Sequence, residues 1–83
     1  MEAVGLSGMS GALSRRELEV LAYIKLGFTN RQIAGRLGVS TNTVNKHVQQ
    51  VLRKLEVSNR VQAATSAHPR VEPLALGMLS GPA

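Results

Sequence analysis

The feature that most constrains the fold is a helix-start pattern that recurs at residues 14, 29 and 40. Ser14-x-x-Glu17 and Thr29-x-x-Gln32 have the form of a capping box, in which two side chains satisfy backbone N–H groups that the helix start leaves unpaired. Ser40 is a further N-cap candidate. Helix starts this close together leave room only for short helices joined by short turns, so the sequence predicts an all-α domain.

Apolar residues after each cap follow the 3.6-residue period of a helix. In the third helix, predicted over about residues 41–55, they form one stripe at Val44, Val48, Val51, Leu52 and Leu55. Gly27 and Gly38 lie where helix ends favour a left-handed residue. A fourth helix is predicted to begin at Ser58 or Asn59 and to end before Pro69, because proline cannot continue a helix.

The turn between the second and third helices is only Gly38-Val39-Ser40. A turn this short forces the steep crossing of a helix-turn-helix motif, predicted over about residues 29–48. In that motif the first helix lies across the DNA backbone and the second enters the major groove. Gly35, which costs about 1 kcal/mol relative to Ala inside a helix, predicts a close helix crossing at its position.

Residues 13–68 are predicted to form the helix-turn-helix domain, flanked by two segments of different composition. Residues 1–12 are small and show no period, which is typical of a flexible segment. Residues 69–83 hold all three prolines, together with Gly77 and Gly81. That tail is either frayed or, because it contains an apolar run at 74–79, a strip that docks on the domain or on a partner.

The chain has ten basic and five acidic residues, a formal net charge of +5 and no cysteine. All ten bases and three of the acids lie within residues 15–70, so that segment suggests a polyanionic partner. Without Cys or Asp, a Cys-ligated zinc site, a disulfide framework and an Asp-based magnesium or catalytic site are excluded. We expect no cofactor, no metal and no enzymatic activity, and the apolar runs are too short for a membrane span.

The outward face of the predicted third helix is amide-rich and basic. It carries Asn42, Asn45, Lys46, Gln49, Gln50 and Arg53, and no acid precedes Glu56 on this helix. Asn and Gln side chains pair with adenine in the major groove, and Lys donates to guanine. The alternative is an ordinary solvated helix face. Such faces usually mix Glu with Lys, so the pattern favours DNA binding.

Residues 13–64 resemble the LuxR/GerE-type DNA-binding domain. The matching pieces are LSRRELEVL (13–21), GFTNRQIA (27–34), LGVSTNTV (37–44), His47, KLEV (54–57), Arg60 and Ala63. The resemblance implies a cytoplasmic, nucleoid-associated bacterial transcription regulator, related to response regulators, that binds double-stranded DNA as a dimer through its fourth helix. It also implies that Asn45, Lys46 and Gln49 read bases, although the family usually has Lys where this chain has Asn45.

The residues expected to bind DNA and a second copy form three sets. The base-reading residues are predicted to be Asn42, Asn45, Lys46 and Gln49. Contacts to the DNA backbone are predicted for Thr29, Arg31, Ser40, Thr41, Thr43, His47, Gln50, Arg53 and Lys54. A homodimer interface, weak in solution because its face is small, is predicted at Val61, Ala64, Thr65 and His68. RNA polymerase is a further partner open to such a regulator.

Some alternatives remain open from the sequence. His47 is either a phosphate contact or a half-buried residue on the helix flank, and Arg60 either contacts phosphate or pairs with Glu56. For the whole domain, the alternatives are a promoter-binding module like sigma-factor region 4 and a protein-interaction module that retains the fold. The KLEVSNR segment before a fourth helix disfavours the former. The lack of acids and bulky apolar residues on the outward face disfavours the latter.

Overall fold

A computed structural model describes residues 12–66, 68, 70, 71, 74 and 77. Within that part of the chain it contains no strand and has the helices α1 (Arg15–Lys25), α2 (Asn30–Leu37), α3 (Thr41–Leu55) and α4 (Arg60–Thr65). The predicted all-α, four-helix architecture is therefore confirmed. The predicted flexible segment 1–12 lies outside the described residues except for Ala12, which is exposed.

Both capping boxes form at the starts of α1 and α2. The Ser14 N–H donates to Glu17 Oε1 at 2.9 Å, and the Glu17 N–H donates back to Ser14 Oγ at 3.1 Å. Thr29 and Gln32 repeat the arrangement at 2.9 and 3.1 Å. Two donors at each helix start are thus satisfied by side chains within the same four residues, which is why a four-residue pattern could locate both starts.

The remaining helix ends follow the same local rules. Ser40 Oγ accepts from the Thr43 N–H at 3.1 Å, and Asn59 Oδ1 caps α4. Gly27 and Gly38 have φ angles of 89° and 70°, the left-handed region that glycine enters without steric cost. Glu56 ends α3 with a φ of 59°, a conformation that costs a residue with a Cβ about 1 kcal/mol.

The apolar stripes meet in two core clusters with α1 between them. The first core cluster consists of Leu13, Leu18, Leu21, Ala22, Val51, Ala63 and Val71. The second consists of Val20, Tyr23, Ile24, Ile33, Ala34, Val44 and Val48. Because α3 contributes to both clusters through its buried valines, the packing of α1 against α3 holds the opposite face of α3 towards solvent.

The tail after α4 contributes to the core where it is described. Val71 is fully buried in the first core cluster, and Leu74 packs against that cluster. The Val71 N–H donates to the carbonyl of His68 at 3.0 Å. Residues 71 and 74 of the tail are therefore docked on the domain. The greater part of the apolar run 74–79 lies outside the described residues.

The prediction of a close helix crossing at Gly35 is wrong. Gly35 is exposed, and a Cβ built on it meets no atom within 4 Å. The contact between α2 and α3 is made instead by Ile33 and Ala34, which are buried in the second core cluster. Nothing in the structure explains a glycine at this position.

Candidate nucleic-acid interface

The polar face of α3 projects away from the core. Val44, Val48 and Val51 are buried beneath it. On the outer side, the exposed side chains are Thr41, Asn42, Asn45, Lys46, Gln49, Gln50 and Arg53. Every residue predicted to read bases is thus exposed and lies on one helix, opposite the stripe that fastens the helix to the domain.

The turn before α3 is held by the core as well as by hydrogen bonds. The N–H groups of Gly38 and Val39 both donate to the carbonyl of Ala34, at 2.9 and 3.1 Å. Val39 packs on the second core cluster, to which Val44 in the first turn of α3 also belongs. Apolar contacts on both sides of Ser40 therefore fix the direction in which α3 leaves α2.

Several predicted backbone contacts lie at the starts of α2 and α3. Thr29 and Ser40 use their hydroxyl oxygens to accept backbone N–H groups, and Arg31 and Thr41 are exposed. A hydroxyl that accepts a hydrogen bond keeps its own proton, so Thr29 can still donate to a phosphate oxygen. Ser40 Oγ and Thr43 Oγ1 are 3.0 Å apart, so one of these two hydroxyl protons is used between them.

The flank of α3 further along the chain carries His47, Gln50 and Arg53. Gln50 and Arg53 are exposed and hydrogen-bonded to each other through Gln50 Oε1 and Arg53 Nη2. His47 is half-buried, as one of its two interpretations expects. Its imidazole is only partly shielded, so the alternative of a phosphate contact is still open.

Lys54 forms an ion pair within the domain that the sequence did not predict. Its Nζ lies 2.8 Å from Glu17 Oε1, and the two side chains are only 20% and 9% exposed. The ammonium group is therefore paired with a carboxylate at the start of α1, and this pairing competes with the predicted contact to the DNA backbone. The sequence identified Glu17 as a capping-box residue but gave no sign of this second partner, 37 residues away.

The pKa of Glu17 reflects both partners. Burial alone raises the pKa of this carboxyl, but the hydrogen bonds from Lys54 and from the Ser14 backbone, with the charge of Lys54, outweigh that effect. The net result is a pKa below the ordinary Glu value. The charged pair therefore joins the first turn of α1 to the last turn of α3 at neutral pH.

Arg60 also takes a role that neither sequence interpretation described. Its Nη1 donates to Asn30 Oδ1 at 2.5 Å, and its Nη2 donates to the carbonyl of Phe28. Asn30 Nδ2 in turn donates to Asn45 Oδ1 at 2.7 Å. Arg60 is thus tied to the start of α2 instead of to Glu56, and through Asn30 it reaches one of the predicted base-reading residues.

The residues predicted to form the dimer interface differ in their exposure to solvent. Val61 is 71% exposed and Thr65 is exposed. Ala64 is half-buried against the second core cluster, and its carbonyl accepts from Lys25 Nζ at 3.0 Å. His68 is half-buried, with its Nδ1 accepting from the Arg70 N–H at 3.3 Å. Val61 and Thr65 are therefore the members of this set that are open to a partner.

No group of three or more His, Cys, Asp or Glu side chains among the described residues is arranged to hold a metal ion. No helix in the same part of the chain combines the length and the apolar character needed to cross a membrane.

The chain is similar in sequence to known bacterial regulatory proteins. Residues 11–67 match the family model of bacterial regulatory proteins of the luxR family. Transcriptional regulatory protein LiaR of Bacillus subtilis is 46% identical over 57 residues, which are 69% of this chain and 27% of LiaR. The glycerol metabolism activator of Pseudomonas putida is 50% identical over 56 residues, 68% of this chain and 25% of the activator.

A third relative is the two-component response regulator PprB of Pseudomonas aeruginosa, 44% identical over 59 residues, 71% of this chain and 22% of PprB. The matched segment spans about a quarter of the length of these curated relatives. No solved structure matches the chain significantly. The family match covers more than half of the chain, all four helices included. The chain belongs to the luxR family of bacterial regulatory proteins, and its helices form the DNA-binding domain of a transcriptional regulator.

Proposed function

We propose that this domain binds specific sequences of double-stranded DNA by placing α3 in the major groove. The observation that carries the proposal is the outward face of α3, where Asn42, Asn45, Lys46 and Gln49 are all exposed while the valines behind them are buried. Amide and ammonium groups on one helix face match the acceptors and donors that base edges present in that groove.

The DNA backbone is proposed to be held on both sides of this face. Thr29, Arg31, Ser40, Thr41 and Thr43 lie at the starts of α2 and α3, where helix N-termini also favour phosphate. His47, Gln50 and Arg53 lie on the flank further along α3. Lys54 is left out of this set because it pairs with Glu17.

The setting of this binding is proposed from the family. PprB is described as a two-component response regulator, and LiaR as a transcriptional regulatory protein. We propose that this domain serves in such a bacterial regulator, acting on DNA in the cytoplasm at the nucleoid, with RNA polymerase as a further partner. The sigma-factor-like alternative is not favoured, because the relatives named above are regulators of transcription.

Selection of binding sites from randomised duplex DNA tests the proposed function. We expect one enriched motif. With Arg31 and Arg53 of two domains on phosphates, four contacts give a logarithmic salt slope of about −3.6, so affinity should fall about 150-fold between about 50 and 200 mM salt. The absence of any motif would contradict sequence-specific recognition of DNA. Binding that barely changes with salt would contradict the proposed contacts to phosphate.

We also propose that two domains pair on DNA through α4, with Val61 and Thr65 at the contact. Val61 is the exposed large apolar side chain among the described residues. One domain offers a small surface to DNA, whereas two related by a two-fold axis can place both α3 helices in successive major grooves about 34 Å apart. The exposed face of α4 is short, which favours a dimer that is weak in solution.

Val61→Glu should leave stability unchanged and abolish cooperative binding to an inverted repeat, because it places a charge in a small apolar contact. Gel-shift titration on one and two half-sites measures the cooperativity. Gln62→Glu, on the same helix and also exposed, is the charge-matched control. Ala64 is unsuitable for this test because it packs on the domain's own core. Retained cooperativity in Val61→Glu would place the interface elsewhere.

A further inference from the structure

Resting on the function proposed above, we propose that Arg60 and Asn30 set the base preference of Asn45 by holding it as a hydrogen-bond donor. Asn45 lies on the outward face of α3, whereas Arg60 is on α4 and is not expected to touch a base. Asn30, at the start of α2, links the two by hydrogen bonds. Arg60 and Asn30 are thus positioning residues for a base-reading side chain.

The direction of the hydrogen bonds follows from the chemistry of arginine. A guanidinium group has donors and no acceptor. Arg60 Nη1 lies 2.5 Å from the side chain of Asn30, so the atom of Asn30 that faces it must be the oxygen. A second donation, from Arg60 Nη2 to the carbonyl of Phe28, keeps the guanidinium in this orientation. The amide nitrogen of Asn30 must then point away from Arg60.

That nitrogen meets Asn45. Asn30 Nδ2 donates to Asn45 Oδ1 at 2.7 Å, so the oxygen of Asn45 is already engaged inside the domain. The NH2 group of Asn45 is the part left to project from an exposed side chain. An unconstrained Asn pairs with adenine by using its oxygen and its nitrogen together, and this pairing requires the atom that Asn30 occupies.

A side chain that only donates distinguishes bases by their acceptors. Guanine presents two acceptors, O6 and N7, in the major groove, and thymine presents O4. Cytosine presents only the N4 donor, and adenine places its N6 donor beside a single acceptor. At the position that Asn45 contacts, the domain should therefore prefer guanine or thymine and reject cytosine, contrary to the adenine preference that an isolated Asn suggests.

Asn30→Asp tests this polarity directly. An Asp at 30 still accepts from Arg60, but it can only accept from Asn45, so Asn45 must turn its NH2 group inward and present its oxygen to DNA. Asp is favoured in the first turn of a helix, so α2 should still form, which circular dichroism checks. Asn30→Ala is the second variant, since it releases Asn45 without reversing it.

The experiment is site selection from randomised duplex DNA with the unmodified chain, both Asn30 variants and Asn45→Ala. The position whose preference disappears in Asn45→Ala is the one that Asn45 reads. There we expect the unmodified chain to enrich guanine or thymine and Asn30→Asp to enrich adenine or cytosine, with the ratio changing by about 10-fold or more. Asn30→Ala should gain adenine. Positions read by Lys46 and Gln49 should not change.

The outcomes separate this inference from the proposed function. If Asn30→Asp and the unmodified chain prefer the same base at that position, the inference is overturned and the proposed function is not. Enrichment of adenine by the unmodified chain, or a motif insensitive to Asn45→Ala, does the same. If the unmodified chain enriches no motif, sequence-specific binding itself fails, and the inference fails with it.

Discussion

Replacing Val71 with Asp is expected to lower the free energy of unfolding by about 4 kcal/mol and to leave most of the protein unfolded. Val71 is fully buried in the first core cluster, to which Leu18 and Val51 also belong. A carboxyl group placed there loses its water without a charged partner, and the apolar contacts of the valine are lost as well. A domain of this size gains only about 3–5 kcal/mol from its core, so a loss of this size is not tolerated.

Urea denaturation followed by circular dichroism measures the effect. Arg70→Asp is the matched control, because the preceding residue is exposed and receives the same new side chain. We expect the control to remain folded. Equal stability of the two variants would mean that residue 71 does not belong to the core and that the whole tail is frayed.

Replacing Lys54 with Met is expected to lower the free energy of unfolding by about 2 kcal/mol, the second large effect. Removing one partner of a buried ion pair costs about 3–5 kcal/mol, and the partial exposure of Lys54 reduces that figure. Arg53→Met removes the same charge one residue earlier, from an exposed side chain, and should change stability by less than about 0.5 kcal/mol. Arg53→Met should nevertheless weaken DNA binding.

Urea denaturation of the two variants, paired with DNA titration, separates the two roles. If Arg53→Met and Lys54→Met are equally stable and bind DNA equally weakly, Lys54 is a backbone contact after all. The ion pair is then without consequence for the fold.

The same pair predicts how stability depends on pH. Because the pKa of Glu17 is lowered in the folded state, its contribution is fully present above the ordinary Glu pKa of about 4.3. It is lost as the pH falls through the lower folded value, where the carboxyl takes up a proton. Stability should thus decline more steeply below about pH 4 in the unmodified chain than in Glu17→Gln, as urea midpoints at successive pH values would show.

The sequence predicted those parts of the fold that depend on neighbours within a few residues. Capping at Ser14, Thr29 and Ser40 and the left-handed turn at Gly38 involve groups no more than four residues apart. The buried stripe of α3 follows from helical period alone. Since the outward face is whatever the stripe leaves exposed, the candidate base-reading residues followed from the same pattern.

The contacts that the sequence did not reveal join residues far apart in the chain. Lys54 and Glu17 are 37 residues apart, and Arg60 and Asn30 are 30 apart. No local pattern distinguishes a lysine that pairs across the core from one that faces solvent, so the sequence alone places Lys54 with Arg53. The prediction at Gly35 fails for a different reason. The low helix propensity of glycine is a local property, and at this position no close helix packing accompanies it.

If the outward face of α3 lies against base edges, its residues should behave differently on matched and on scrambled DNA. Lys46→Ala and Gln49→Ala should lose about 1–3 kcal/mol of binding free energy on the selected site and almost nothing on a scrambled one. Arg53→Ala should weaken binding to the selected and to the scrambled site equally, because phosphates carry no sequence information. Equal behaviour of all three variants on the two DNAs would show that α3 is not the helix in the groove.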